Sequence, residues 1–158
     1  MNDVLVLGGG VAGLTTARCL LAAGARVRIA AREFVAGTTS AVAGAFWYPY
    51  RAYPEEKVAD WALRGYRRFA ELAAGTPAAG VVPREATELF PTAAPAPAWL
   101  RDLPDFRLLG PDAAPFGFAC GHRWTTLVVE TAIYLPWLRA EVEAAGATLE
   151  TRAFTSLD

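Results

Sequence analysis

The chain has 158 residues, 54% of them hydrophobic and 20% charged, with a formal net charge of -1. That length suits one domain with a core large enough to be stable, and the composition excludes a disordered chain. A nearly neutral balance without a basic cluster excludes a nucleic acid or an anionic membrane surface as partner. Met1-Asn2-Asp3 lacks the positive start of a signal peptide, and glycines and Arg18 interrupt the first apolar stretch. No membrane span is expected, and the setting reads as cytoplasmic. Cys19 reads as a small core residue of a helix, and Cys120 falls in a loop or strand with no spacing that pairs the two. His122 is the sole histidine, too little for a metal site.

The first element is a strand over Val4-Leu5-Val6-Leu7, apolar as a parallel strand covered on both faces must be. Gly8-Gly9-Gly10-Val11-Ala12-Gly13 follows at once, with Gly8, Gly10 and Gly13 in the G-x-G-x-x-G spacing. Gly8 permits the tight turn, Gly10 removes the Cβ that would hold a pyrophosphate off the backbone, and Gly13 lets helix and strand pack closely. The helix from Val11 to about Ala23 carries Leu14, Ala17, Leu20 and Leu21 on one face and stops at Gly24, suited to a left-handed cap. Arg26 to Ala30 is the second strand, parallel to the first through a right-handed connection. Phosphates then meet the free N–H groups and positive end of the helix, which is dinucleotide binding.

A loop from Val35 to Ala45 leads to a second helix that begins near Pro54, placed at the first helical position, and ends by Gly75. Its buried stripe reads as Val58, Trp61, Ala62, Gly65, Phe69 and Leu72. From about Thr76 to Gly121 the prolines break the pattern into short strands and turns of an antiparallel layer. A third helix is expected from Ala132 or Ile133, which keeps Pro136 in its first turn, with Leu135, Leu138 and Val142 inward and Gly146 at its end. Ala147 to Phe154 alternates as one more strand, a parallel neighbour of the first two. The fold class is α/β: a Rossmann-like domain with a parallel sheet over residues 1–50 and 131–158, and a helix with a partial antiparallel domain over 51–130.

The adenosine ribose of a bound dinucleotide meets a carboxylate about twenty residues beyond the glycines. Glu33 stands there, but Arg32 precedes it and Ala31 marks the end of the strand. Arg32 suits the 2′-phosphate of NADP, and Glu33 suits the free hydroxyls of FAD or NAD. The residues alone leave that choice open.

Further motifs carry a resemblance. Gly8 through Ala17, with Leu14-Thr15-Thr16, is followed by the hydroxyl-rich Thr38-Thr39-Ser40 and by Ala43-Gly44-Ala45-Phe46-Trp47-Tyr48-Pro49-Tyr50, and later by Tyr134-Leu135-Pro136-Trp137-Leu138. In that order they resemble the D-amino-acid oxidase family of flavoproteins, over the whole chain but about the first half of a typical member. The resemblance implies FAD as cofactor and a partly antiparallel substrate domain. It also implies oxidation of D-amino acids with dioxygen to 2-oxo acids, ammonia and hydrogen peroxide. The cofactor carries the redox step and the protein supplies orientation.

The cofactor residues expected on this reading are Gly8, Gly9, Gly10, Val11, Ala12, Gly13, Arg32, Glu33, Thr38, Thr39, Ser40, Gly44, Ala45 and Phe46. Thr38, Thr39 and Ser40 offer hydroxyl donors to phosphate or ribityl oxygens, and Ala43 to Ala45 let the backbone approach a flat ring. Phe46, Trp47, Tyr48 and Tyr50 are suited to an apolar wall beside that ring, with Tyr48 and Tyr50 nearest the substrate. The substrate carboxylate calls for an arginine fork, and no residue here inherits that role; Arg51 reads as a surface residue. The expected partners are therefore a D-amino acid, dioxygen and a complementary C-terminal half or second chain, with homo-oligomerisation left open. Two further readings stand beside it: a flavin- or nucleotide-binding module without catalysis, and an NADP-dependent Rossmann oxidoreductase suggested by Arg32.

Overall fold

The structure, a computed structural model, describes residues 3–49 and 53–156. Its elements in chain order are β1 (Asp3–Gly9), α1 (Val11–Ala22), β2 (Arg26–Phe34), α2 (Thr39–Val42), α3 (Glu55–Gly75), β3 (Val81–Phe90), α4 (Ala98–Arg101), β4 (Arg107–Leu109), β5 (Cys120–Val129), α5 (Thr131–Ala144) and β6 (Thr148–Thr151). The chain divides into two compact units: Met1–Ala45 with Ala78–Gly80 and Glu130–Asp158, and Phe46–Pro77 with Val81–Val129.

The first unit is built on a parallel sheet of order β1-β2-β6. Val4 stands beside Val27 and Val6 beside Ile29, so the first two strands are the parallel neighbours expected from their apolar runs. Val6, Val27 and Ile29 are buried together with Leu14 and Ala17 of α1 and Leu135, Leu138 and Val142 of α5, and α1 touches both strands and α5. Each large aliphatic chain so buried contributes about 1.5–3 kcal/mol. α1 ends as anticipated: Gly24 has φ +83°, its N–H donates to Leu21 O at 2.9 Å and that of Ala25 to Leu20 O at 3.0 Å, the paired bonds of a Schellman cap.

Several expectations for this unit need correction. β2 does not stop at Ala31 but runs to Phe34, so Arg32 and Glu33 are strand residues. Its backbone finds partners beyond Ala31, because Arg152 N–H donates to Ala31 O at 2.8 Å and Gly9 pairs with Phe34 after a register shift. Thr39 to Val42 is a short helix rather than loop. α5 starts at Thr131, leaving Pro136 in its interior. The carbonyl of Glu130 accepts from both Ile133 and Tyr134 N–H at 2.8 Å and so sets the earlier start. An interior proline costs about 3 kcal/mol, an amount that burial of Leu135, Leu138 and Val142 offsets. Cys19 is exposed, not core.

The second unit holds an antiparallel sheet of order β3-β5-β4 with α3 packed on β3 and β5. β3 and β5 are 10 residues each, longer than the short strands expected, and β5 continues past Gly121 to Val129. Pro54 caps α3 from outside rather than occupying its first turn. The inward face of α3 keeps Leu72 and the half-buried Val58, Ala62, Gly65 and Phe69 of the expected stripe, but it gains Tyr66 and leaves Trp61 61% exposed. Trp47 packs on this face. Its indole N–H donates to Ala62 O at 2.9 Å and its ring meets Tyr66 edge-on at 5.0 Å, so Trp47 belongs to the core of this unit rather than to a ligand wall.

Candidate functional site

The turn between β1 and α1 depends on glycine for two separate reasons. Gly8 has φ +125°, a backbone region that L side chains rarely adopt. At Gly13 a Cβ would run into the carbonyl oxygen of Gly8, so the helix lies against the strand end only because that Cβ is missing. Both match the expected division of labour among the glycines.

The first bond of the α1 ladder is Leu14 N–H to Gly10 O at 3.0 Å, which leaves the N–H groups of Val11, Ala12 and Gly13 ahead of it. Gly10 has no side chain with which to cap them. Val11 N–H instead donates to Ser40 Oγ at 3.1 Å, and the Ser40 hydroxyl keeps its own hydrogen to donate elsewhere. The segment Thr38-Thr39-Ser40 is thereby tied to the glycine turn.

Beside this turn lies an open cleft of about 590 Å³, lined in part by Gly8, Gly9, Arg32, Glu33, Thr38 and Thr39. Arg32 and Glu33 are both exposed there, so the geometry keeps both available. Thr38 corrects one expectation: its hydroxyl donates to Val35 O at 2.6 Å, so its hydrogen is committed within its own turn. Val35 itself has φ +53°, a strained conformation for a β-branched residue, at the point where the chain leaves β2 for the hydroxyl-rich segment.

A further part of the lining comes from Arg152, Ala153, Phe154, Thr155 and Ser156, which sequence reasoning did not single out. The Arg152 guanidinium lies over the Phe154 ring at 4.7 Å. A signal for them existed, since parallel strands deliver their carboxyl ends to one edge and whatever follows β6 must share the crevice that follows β1 and β2.

The remaining expected residues are distributed between the units. Gly44 and Ala45 belong to the first unit, Gly44 exposed and Ala45 half-buried, and do not line the cleft. Phe46 and Tyr48 belong to the second. Phe46 is 56% exposed and bridges to Val128, while Tyr48 is half-buried and donates its hydroxyl to the Glu88 carboxylate. Tyr50 and Arg51 lie outside the described residues. Among the described residues no cluster of histidine, cysteine or acidic side chains has the form of a metal site, and no helix is long and apolar enough to cross a membrane.

A parallel β-α-β unit with a glycine turn at a helix N-terminus and a crevice at the carboxyl ends of its strands is the α/β dinucleotide-binding class of fold. Within that class the chain matches the family of FAD dependent oxidoreductases over residues 3–158 and belongs to it; its cofactor is FAD. It is similar to a D-amino-acid oxidase of Rubrobacter xylanophilus, 44% identical over 98% of this chain and 47% of the relative. A D-amino-acid oxidase of Streptomyces coelicolor is 40% identical over 99% of this chain and 48% of that protein. The chain thus spans about half the length of the curated relatives it matches. Among solved structures, glycine oxidase from Geobacillus kaustophilus shares the fold with a TM-score of 0.70 at 20% identity, over 96% of this chain and 47% of that one. L-amino acid deaminase from Proteus vulgaris does so with 0.71 at 17%, over 95% and 39%.

Proposed function

We propose that this chain is the FAD-holding half of an oxidase that deaminates D-amino acids to 2-oxo acids, ammonia and hydrogen peroxide in the cytoplasm, and that a complementary polypeptide supplies the remainder of the active site. The observation that carries the reading is the glycine turn at the N-terminus of α1, beside a cleft that Thr38, Thr39 and the Arg32-Glu33 pair also line. Identity of 40–44% to two D-amino-acid oxidases supports the substrate class.

On this reading the backbone from Gly8 to Gly13 and the positive end of α1 hold the pyrophosphate. Glu33 accepts hydrogen bonds from the adenosine ribose, with Arg32 beside it. Thr39 and Ser40 donate hydroxyls to the cofactor's oxygens, and Gly44 and Ala45 bring backbone N–H groups to its ring. Phe46 is a further cofactor residue on this reading, and Tyr48 is the residue proposed nearest the substrate. FAD, when bound, supplies the two-electron acceptor for the oxidation. No arginine of the chain is assigned to the substrate carboxylate, which requires a bidentate fork, so the complementary polypeptide provides that clamp. Because most of the rate advantage of such a reaction comes from positioning, residues 1–158 alone should bind flavin and turn over negligibly.

The test is to express residues 1–158 alone and together with the C-terminal portion of the Rubrobacter xylanophilus relative, then record flavin absorbance and peroxide release on D- and L-amino acids. Flavin in both preparations, with peroxide from D-amino acids only in the pair, is the expected result. Flavin without peroxide in either would favour a non-catalytic flavin-binding module. Full activity from residues 1–158 alone would overturn the two-part reading.

A further inference from the structure

α1 has the composition of a helix suited to burial. Arg18 is the one charged residue among its 12. Yet Val11, Ala12, Thr15, Thr16, Cys19 and Ala22, on the face turned away from the buried Leu14 and Ala17, are exposed. A helix that faces water carries charges on its outer side, and one that is apolar all round is a buried helix. α3 is of the first kind, with Asp60, Arg64, Arg67, Arg68 and Glu71 exposed on it. The outer face of α1 instead borders an open groove of about 590 Å³ lined by Val11, Ala12, Thr15, Thr16, Cys19 and Leu20. β1 repeats the pattern in the same unit. It forms one edge of the sheet β1-β2-β6 and leaves Leu5 and Leu7 42% and 44% exposed, although an apolar parallel strand is ordinarily covered on both faces.

The side chains of this face decide what can cover it. Alanine, threonine and cysteine are short, so a second helix can bring its axis to the close end of the ~8–10 Å range of helix packing. The face offers hydroxyls but no row of backbone donors and acceptors. An extended segment laid there would leave its N–H and C=O groups unpaired, whereas a helix pairs its own. The place of the face names the source. Val11 and Ala12 open it at the glycine turn, the end at which the flavin phosphates sit on the reading above, and the complementary polypeptide has to reach that cofactor with its substrate clamp. The curated relatives have such a polypeptide: this chain matches 47% and 48% of their length, and about half of each lies outside the matched region. Resting on the two-part reading, we infer that the outer face of α1 is the seat of an apolar helix from the complementary C-terminal polypeptide.

Cys19, exposed within this face, reports its occupation. Residues 1–158, alone and together with the C-terminal portion of the Rubrobacter xylanophilus relative, are treated with N-ethylmaleimide, and peptide mass spectrometry follows Cys19 apart from Cys120. Cys19 should react freely in the lone chain and about tenfold more slowly in the co-eluting pair. Cys19→Arg places a charge on the face. It should retain the far-UV circular dichroism of the lone chain and abolish co-elution, while Cys19→Ser co-elutes like the wild type. A folded Cys19→Arg that still co-elutes would overturn the inference. So would a peroxide-producing pair in which Cys19 reacts as fast as in the lone chain, and that result leaves the two-part reading intact. Protection of Cys19 in the lone chain, with the mass of a dimer in sedimentation, would give the face to a second copy of this chain and overturn the inference as well. A wild-type pair that never co-elutes ends the two-part reading and the inference together.

Discussion

Ser40 Oγ accepts the N–H of Val11 at 3.1 Å, so the helix at the glycine turn is capped by a residue 29 positions away. The usual cap is the residue before the helix, and here that residue is Gly10, which has nothing to offer. Ser40→Ala should therefore lower stability by about 1 kcal/mol, the ordinary worth of a cap. Urea unfolding should show the midpoint falling with an unchanged slope. Because the same bond ties the hydroxyl-rich segment to the turn, flavin content should fall as well.

Gly10 and Ser40 are also coupled by space. A Cβ on Gly10 would come 2.8 Å from Ser40 Oγ, while the nearest carbon of Ser40 would be 3.6 Å away. The backbone of Gly10, with φ -91° and ψ -170°, is open to any residue, so only the side chain of Ser40 stands in the way. Gly10→Ala should destabilise by about 1–3 kcal/mol. The double variant Gly10→Ala/Ser40→Ala should lose less than the sum of the singles. Strict additivity in a double-mutant cycle would show that the clash is relieved elsewhere. Gly10→Val should reduce flavin retention further, and retention at the wild-type level would move the phosphate site away from this turn.

The start of the fold is legible in the sequence because its signals are local: an apolar run, glycines at fixed spacing, and a helix that ends on Gly24. The parts that are not legible depend on distant partners. Arg32 and Glu33 are strand residues only because Arg152 and Gly9 complete the backbone bonds around them. β5 hides because His122 and Thr126 interrupt its apolar pattern, and they are buried only because Ala94 O and Trp47 O accept their bonds. Val35 at φ +53° follows from no propensity, since β-branched residues avoid that region. Within the site the glycine turn and the hydroxyl-rich segment can be read in advance, whereas the wall from Arg152 to Ser156 requires knowing where β6 pairs.

Two large side chains separate core from surface. Leu135 is 1% exposed in α5, while Trp61 is 61% exposed on α3 although helical spacing alone would bury it. Leu135→Ala should cost about 2–5 kcal/mol through lost transfer energy and the cavity left behind. Trp61→Ala should change stability by no more than about 0.5 kcal/mol. Thermal or urea unfolding of the two variants side by side checks the assignment, and a large loss at Trp61 would mean that α3 buries the other face.

Tyr66 makes the second unit sensitive to alkali. Its ring is 7% exposed and its hydroxyl donates to Thr125 O at 3.0 Å. Burial, and secondarily the negative charge of Asp105, raise its pKa above the usual 10.0 by disfavouring the phenolate. The folded state therefore holds the phenol proton more tightly than the unfolded chain. The stability this contributes is fully present below about pH 10 and is lost as the pH rises through the folded-state value. Urea midpoints measured from about pH 8 to about pH 11 should fall at the alkaline end in the wild type. Tyr66→Phe has no proton to lose and leaves Thr125 O without its donor. That variant should start about 1 kcal/mol lower at neutral pH and lack the part of the alkaline fall that Tyr66 supplies. If the two proteins lose stability in parallel above about pH 10, the alkaline transition belongs to another group and Tyr66 is no more than a packed ring.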